Sequence, residues 1–236
     1  MKIRLDKLIG NMGFASRTEI KKSSKKGAIK VNGVEEKDSS RIVDTEKDKV
    51  SYNGVSVIYK KYIYLLMNKP KGVISATEDL YDETVVDLLM DEDKVFNPAP
   101  VGRLDKDSTG LLLLTNDGDL NHKLTSPKYE VPKTYFVTLS KKIEEEKYRK
   151  VFNKGIKLMP EDIKTKPAKL EVVDDTHCYI TIMEGKFHQV KRMFQKVGNE
   201  VLELKRVKMG LLELPKDLKP GEYKEINRME IKLEDK

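Results

Sequence analysis

The sequence predicts an α+β protein: a small helix-plus-hairpin module, followed by a larger domain with a mixed, mostly antiparallel β-sheet and flanking helices. Three observations predict this architecture. Helical spacing and capping signals occupy residues 3–27, two Asn-Gly turn signals follow within residues 28–59, and short apolar or alternating segments recur from residue 62 onward. We expect the first domain to span residues 1–59 and the second residues 60–236, with Lys60 and Lys61 as a short connector.

The first module begins with two predicted helices. Apolar side chains fall on one face of the first helix, which Gly13 closes; they are Leu5, Leu8, Ile9 and Met12. The second helix opens at a capping-box pattern over residues 16–19 and ends at Gly27. Asn32-Gly33 and Asn53-Gly54 then predict two tight hairpin turns, and the polar segment 35–49 between them is predicted to be a loop.

The second domain is predicted to be rich in strands. An apolar run of four leucines, residues 111–114, lies between turn signals and predicts a buried strand. Further strands are predicted over residues 62–67, 133–139, 170–173 and 179–183. Helical segments are predicted over residues 85–90, 119–124, 143–155 and 187–197, the last of them basic and closed by Gly198.

The charge of the chain is concentrated at one end. The protein has 236 residues, is 38% hydrophobic and 36% charged, and has a formal net charge of +7. Residues 1–33 contain nine basic and two acidic residues, so the remainder of the chain sums to zero. A basic block on a small module is typical of a polyanion-binding surface, although a solvated lysine-rich face would give the same pattern.

The sequence favours the cytoplasm and argues against a membrane protein. No apolar run approaches the roughly 18 residues that a spanning helix needs, and the first residues have no apolar core of the signal-peptide kind. Cys178 is the only cysteine, and its apolar neighbours predict a buried thiol. We therefore expect no membrane association, and a monomer.

Several common site patterns are absent from the sequence. It has no P-loop lysine-serine motif, no dinucleotide glycine fingerprint and no GxSxG elbow. The three histidines and one cysteine do not have zinc-ligand spacing. We therefore expect neither a metal nor a cofactor, and this makes an RNA-processing nuclease a weak alternative.

One acidic loop is the strongest chemical signal. Gly102-Arg103-Leu104-Asp105 leads directly into the predicted buried strand, so this loop is attached to a rigid element that can hold a reactive side chain still. Taken alone, Asp105 would more simply be a loop carboxylate that caps a turn.

Two parts of the chain resemble known families. Arg4-Leu5-Asp6-Lys7, Ala15-Ser16-Arg17 and Val31-Asn32-Gly33 resemble the RNA-binding domain named for the fourth small-subunit ribosomal protein. The remainder resembles the ribosomal small subunit pseudouridine synthase A family, and three blocks carry this resemblance. They run from Gly102 to Gly118, from Lys133 to Tyr135 and from Glu184 to Met193.

The resemblance implies an RNA pseudouridine synthase, an isomerase that converts a uridine of ribosomal RNA to pseudouridine. Asp105 matches the catalytic aspartate of the family, which is thought to act on the sugar, as nucleophile or base, or by attack on the uracil. Tyr135 matches the active-site tyrosine, and Lys191 matches the basic residue that pairs with the aspartate. Simpler alternatives to these catalytic roles are a core position for Tyr135, and a solvated helix face or a phosphate contact for Lys191.

RNA contacts are expected from both domains. Arg103 is a candidate to hold the RNA open beside a flipped nucleotide. His188 is a candidate RNA contact, although a structural hydrogen bond is the more common role for a histidine. The remaining RNA-binding candidates are Arg4, Lys7, Arg17, Lys21, Lys22, Lys25, Lys26, Gln189 and Arg192.

The histidine in the block 188–192 favours the small-subunit branch of the family, so the expected partner is 16S ribosomal RNA or an assembling small subunit. One alternative is a synthase that acts on large-subunit (23S) ribosomal RNA. The other is a non-catalytic ribosome-assembly factor that only binds RNA.

Overall fold

A computed structural model describes residues 1–232, and the chain divides into two compact units. The first unit comprises residues 1–63 together with 89–97, and the second comprises residues 64–88 together with the chain from Pro98 onward. Each unit has its own secondary structure and is described by itself. Among residues 1–232, no helix has both the length and the apolar character needed to cross a membrane.

The first unit contains short strands and three helices. They are β1 (Lys2–Arg4), α1 (Leu5–Asn11), α2 (Arg17–Ser24), β2 (Ile29–Val31), β3 (Val34–Glu35), β4 (Ile42–Asp44), β5 (Val50–Tyr52), β6 (Val55–Val57) and α3 (Asp91–Lys94). Strands β3, β2, β5 and β6 form one antiparallel sheet in that order, and β1 pairs with β4. The buried side chains of α1 and α2 pack in one core with those of the strands.

The local signals of the first unit are confirmed. Ser16 and Glu19 form the predicted capping box, in which the Ser16 side chain accepts from the Glu19 backbone and the Glu19 carboxylate accepts from the Ser16 backbone. Asn32 and Asn53 both adopt positive φ angles, 54° and 49°, and each is followed by a glycine in the same region. Both Asn-Gly hairpin turns are therefore present where the sequence predicts them.

Two predictions near the first unit are wrong. Residues 35–49 are not all loop, because β4 pairs with β1 and buries Val43 in the core. Val43 is the one buried apolar side chain of this short strand, and that was too weak a signal to predict it. Residues 85–90 do not form a helix; Thr84 and Asp87 hydrogen-bond each other's backbone N–H and close a turn instead. The nearby helix is α3, which begins only at Asp91.

Up to residue 232, the second unit contains a nine-stranded sheet, three α-helices and one 3-10 helix. Its elements are β7 (Tyr64–Lys69), β8 (Ala99–Pro100), β9 (Thr109–Thr115), α4 (Gly118–Thr125), β10 (Lys133–Leu139), α5 (Glu145–Phe152), β11 (Lys157–Leu158), β12 (Ile163–Lys164), β13 (Lys169–Val172), β14 (His177–Ile182), α6 (Gln189–Lys196), β15 (Val201–Met209), β16 (Leu212–Glu213), β17 (Tyr223–Glu225) and a 3-10 helix over Arg228–Glu230.

The strand order of the large sheet is β13-β14-β10-β15-β9-β7-β17, with β16 on β15 and β8 on β9. All of these pairs are antiparallel except β15 with β9, which is parallel. The prediction of a mixed, mostly antiparallel sheet is thus confirmed. The central strand β15 was not predicted.

The middle of this sheet is closely packed on both faces. All four leucines of β9 are fully buried, as expected for a strand covered on each side. At the start of β9, Gly110 has a φ of +100°, and a Cβ atom there would lie 2.3 Å from the Arg206 carbonyl oxygen of β15. The close approach of the parallel strands β9 and β15 therefore requires glycine at residue 110. Cys178 on β14 is buried as predicted, and burial raises the pKa of its thiol to about 12.

Candidate active site

Asp105 lies in the loop between β8 and β9, and a buried lysine holds this loop. Lys69, at the end of β7, is fully buried, and its Nζ donates hydrogen bonds to three backbone carbonyl oxygens. Two of these belong to the loop, Asp105 at 3.2 Å and Ser108 at 2.9 Å, and the third is Pro70 at 3.0 Å. The backbone that carries Asp105 is thereby tied to the neighbouring strand.

Burial lowers the pKa of Lys69 to about 8, although the Asp107 and Asp105 carboxylates oppose this shift. The side chain is therefore still largely an ammonium at pH 7, with three N–H donors for its three carbonyl partners.

The Asp105 carboxylate faces two basic side chains from the start of α6. Lys191 Nζ lies 3.1 Å from Asp105 Oδ2, and His188 Nε2 lies 3.5 Å from Asp105 Oδ1. The same Lys191 ammonium also pairs with Asp107, 2.5 Å from its Oδ1. One ammonium thus bridges two carboxylates of the acidic loop.

This bridge shifts the pKa values of Lys191 and Asp107. Burial lowers the pKa of Lys191, but hydrogen bonds to Asp107 and Asp105 outweigh it, so the pKa of Lys191 is raised. Burial raises the pKa of Asp107, but the Lys191 hydrogen bond and charge outweigh it, and the net shift is downward. The pair is therefore ionised at neutral pH.

The turn before α6 presents these basic groups. His188 is the N-cap of α6 and adopts a left-handed conformation, with φ 47° and ψ 33°. Gln189 fixes the turn, because its Oε1 accepts from the Lys186 backbone N–H at 2.9 Å and its Nε2 donates to Glu184 at 3.1 Å. Lys191 follows within the first turn of the helix, so both basic side chains of the site depend on this local fold.

A cavity of about 360 Å³ opens at Asp105. It brings together three of the predicted site residues, Asp105, His188 and Lys191. The other lining residues are Lys71, Gly72, Lys106 and Asp107. Lys71, Lys106 and Asp107 were not predicted as site residues, although Lys106 and Asp107 directly follow the aspartate in sequence.

Tyr135 lies deeper in the sheet. It is 8% exposed on β10 and is not among the residues that line the cavity in the described part of the chain. It pairs with Arg206 on β15, and Arg206 in turn pairs with Gly110 on β9. Since neighbouring strands are about 4.8 Å apart, the Tyr135 backbone is about 10 Å from the strand that continues the Asp105 loop.

Two buried cations accompany Tyr135. Arg206 is 3% exposed; its Nε donates to the Leu111 carbonyl oxygen at 2.8 Å, while within residues 1–232 its buried Nη2 has no hydrogen-bond partner. Lys133, two residues before Tyr135, is 7% exposed, and burial together with the Arg206 charge lowers its pKa to about 8. A buried cation with an unpaired donor, such as Arg206, often marks a functional site. Neither Arg206 nor Lys133 was predicted as a site residue, although Lys133 begins the block 133–135.

The other predicted RNA contacts of the second unit differ in accessibility. Arg103 is exposed, whereas Gln189 is buried in the turn described above. Arg192 is held within the unit, because Nη2 donates to the Met159 carbonyl oxygen at 2.6 Å and pairs with Glu161. Its Nη1 donates to the Phe187 carbonyl oxygen at 3.0 Å.

The predicted RNA contacts of the first unit are all exposed. They are Arg4, Lys7, Arg17, Lys21, Lys22, Lys25 and Lys26. Arg4 pairs with Asp6 at 2.6 Å, and Arg17 begins α2, whose later turns carry Lys21 and Lys22. An open cavity of about 410 Å³ lies beyond the end of α2, lined in part by Lys26 and Lys30.

Comparison with known proteins gives the family. The sequence signature described as RNA pseudouridylate synthase matches residues 63–196, more than half of the chain. The chain belongs to the RNA pseudouridylate synthase family. A second signature, described as the S4 domain, matches residues 3–50 of this pseudouridine synthase.

Full-length relatives agree with this assignment. A Bacillus subtilis protein named as an uncharacterized RNA pseudouridine synthase is 49% identical, over 98% of each chain. A ribosomal small subunit pseudouridine synthase A of Vibrio cholerae is 40% identical, over 97% of this chain and 98% of the relative. A crystal structure of a pseudouridylate synthase superposes with a TM-score of 0.68 at 38% identity and covers 97% of each chain. The predicted isomerase class is confirmed.

Proposed function

We propose that this pseudouridine synthase isomerises one uridine of small-subunit (16S) ribosomal RNA, with Asp105 as its catalytic aspartate. The observation that carries the proposal is the Asp105–Lys191 ion pair of 3.1 Å at the mouth of the cavity. Relatives about 40% identical over nearly the whole chain, from Vibrio cholerae and Escherichia coli, are named ribosomal small subunit pseudouridine synthase A. The proposal includes action as a monomer in the cytoplasm.

The reaction exchanges one bond to the sugar for another. The bond between C1′ of the ribose and N1 of uracil breaks, a bond between C1′ and C5 forms, C5 loses a proton and N1 gains one. Each route open to the aspartate, on the sugar or on the base, needs an ionised carboxylate. Lys191 places an ammonium 3.1 Å from one oxygen of the Asp105 carboxylate, and this ion pair holds the carboxylate in position.

Tyr135 and the exposed basic residues complete the proposal. Tyr135 would meet the uracil from the sheet side, where its ring can stack on the base. Its phenolic oxygen can also relay the C5 proton, accepting it while giving up its own proton. The uridine must leave its stack to enter the cavity, and Arg103 would help to hold the RNA open. The basic residues of the first unit would contact phosphates and position the RNA without reading its sequence.

Mapping pseudouridines in ribosomal RNA tests the substrate. A strain that lacks the gene should lose one pseudouridine in 16S RNA, and the wild-type gene should restore it. Loss of a site in 23S RNA instead would favour the large-subunit alternative. An unchanged map, with RNA binding retained by the purified protein, would favour the assembly factor.

Two isosteric variants of the same loop test the aspartate. Asp105→Asn should bind 16S RNA like the wild type but yield no pseudouridine, measured as tritium released from C5-labelled uridine. Asp107→Asn is the matched control, because it also removes a carboxylate bound to Lys191. Since Asp107 is largely exposed, we expect its variant to lose less than about tenfold in turnover. Equal turnover by Asp105→Asn and the wild type would refute the assignment.

A further inference from the structure

An exposed aromatic ring next to His188, one of the cavity-lining residues, has no part in the proposed chemistry. Phe187 is 70% exposed in the turn before α6. Its ring stacks on the ring of His188, with centroids 3.8 Å apart and planes inclined by 19°. With one face against His188 and most of the side chain exposed, the other face is open to solvent. An exposed aromatic face next to a cavity-lining residue offers a stacking surface for a nucleic-acid base.

The Phe187–His188 stack extends from solvent to the Asp105 loop. His188 lines the cavity, and its Nε2 lies 3.5 Å from Asp105 Oδ1. The order of groups is therefore solvent, Phe187, His188 and Asp105. A base on the open face of Phe187 would lie two stacking distances from the His188 ring, so we assign it to a neighbour of the nucleotide whose sugar meets Asp105.

The ring is also held in place by the fold. Arg192 Nη1 donates to the Phe187 carbonyl oxygen at 3.0 Å, and Gln189 Oε1 accepts from the backbone N–H of Lys186, directly before Phe187, at 2.9 Å. A preorganised ring loses little conformational freedom when a ligand stacks on it. Lys71, which lines the cavity, supplies positive charge for a nearby phosphate, whereas Lys106 on the same cavity is paired with Asp82.

We propose that Phe187 is a stacking platform for the base of an RNA nucleotide that neighbours the target uridine. This proposal rests on the proposed function for the identity of the target. Stacking on an aromatic face tolerates every base, so Phe187 would anchor single-stranded RNA at the cavity without selecting its sequence. It would replace the stacking that the neighbouring base loses when the uridine flips out.

Binding of a short oligouridylate, followed by fluorescence anisotropy, tests the platform without knowledge of the natural target. Phe187→Ala and Phe187→Leu should both weaken binding, by about 5- to 100-fold, because each removes the aromatic face. Phe187→Tyr should bind like the wild type. Tyr179→Ala is the matched control, because it also removes an exposed aromatic side chain. Tyr179 is adjacent to Ile180, which pairs with Tyr135, so its side chain lies on the opposite face of the sheet from Tyr135.

Three outcomes would overturn the platform: wild-type binding by Phe187→Ala, wild-type binding by Phe187→Leu, or equal weakening by Tyr179→Ala. Wild-type binding by Phe187→Leu would mean that residue 187 only packs against His188 and does not stack on RNA. In parallel, Phe187→Ala should raise KM for 16S RNA more than it lowers kcat. If the wild type forms no pseudouridine in 16S RNA while the oligouridylate results hold, the proposed function fails and the platform stands.

Discussion

Replacing the buried Lys133 should stabilise the protein at neutral pH. Lys133 is 7% exposed on β10 and lies beside the Arg206 guanidinium, and burial is the larger cause that lowers its pKa from 10.5 to about 8. Because the folded protein binds the Lys133 proton less tightly than the unfolded chain does, a charged Lys133 lowers the free energy of unfolding. Lys133→Met removes that charge and keeps a side chain of similar length.

The size and sign of the effect follow from the two pKa values. Below pH 8 the lysine is charged in both states, and its charge costs about 3 kcal/mol of folding free energy, at about 1.36 kcal/mol per pKa unit. Between pH 8 and 10.5 the unfolded chain holds more protons at this site than the folded one, so the cost falls as the pH rises. At pH 10 less than about 1 kcal/mol remains.

Urea unfolding followed by circular dichroism, at pH 7 and at pH 10, measures this difference. Lys133→Met should exceed the wild type in free energy of unfolding by up to about 3 kcal/mol at pH 7 and by much less at pH 10. Lys224→Met, at an exposed position of β17, is the control and should change stability by less than about 0.5 kcal/mol at either pH. A variant less stable than the wild type at pH 7, or a difference that stays constant with pH, would refute the reasoning.

The Asp105 loop, the parallel strand pair and the basic module each give one further prediction. Lys69→Met releases the loop carbonyls and should lower kcat by up to about 100-fold while RNA affinity in a filter-binding assay is kept; an unchanged kcat would contradict the anchoring role. Gly110→Ala should cost about 2–5 kcal/mol in urea unfolding, whereas Gly118→Ala, in open space, should cost little; equal costs would contradict the close approach. Replacing the four lysines of residues 21–26 with alanine should reduce the slope of log affinity against log salt by about 0.7 per lost phosphate contact, with the modified nucleotide unchanged; an unaltered slope would place the RNA elsewhere.

Local chemistry explains which elements the sequence could predict. The capping box at Ser16 and the Asn-Gly turns depend on side-chain and backbone preferences of a few adjacent residues, so they are visible without the rest of the fold. The four leucines of β9 likewise identify a strand buried on both faces. Strand β15 has no such signal, because Arg206 occupies one of its most buried positions and charged residues alternate around it. Its neighbours in the sheet, not its own sequence, make it a strand.

The site divides in the same way. Asp105, His188 and Lys191 were predicted from matching blocks, and the structure brings all three to one cavity, while the catalytic role of Asp105 stays a prediction. Lys71 and Lys69 could not be predicted, because no short motif reveals that β7 ends beside the Asp105 loop. The shifted pKa of Lys133 could not be predicted for a similar reason, since the like-charged Arg206 beside it comes from a strand more than 70 residues away.

The position of β15 also bears on how the protein is made. This strand bonds to β10 on one side and to β9 on the other, so it joins two parts of the sheet that are synthesised earlier. Arg206 both approaches Gly110 and bonds to Leu111, at the start of the strand that follows Asp105. A nascent polypeptide that has not yet emerged past Met209 therefore lacks the central support of the Asp105 loop. We expect the RNA-modifying activity to arise late in translation, after the basic N-terminal module has already left the ribosome.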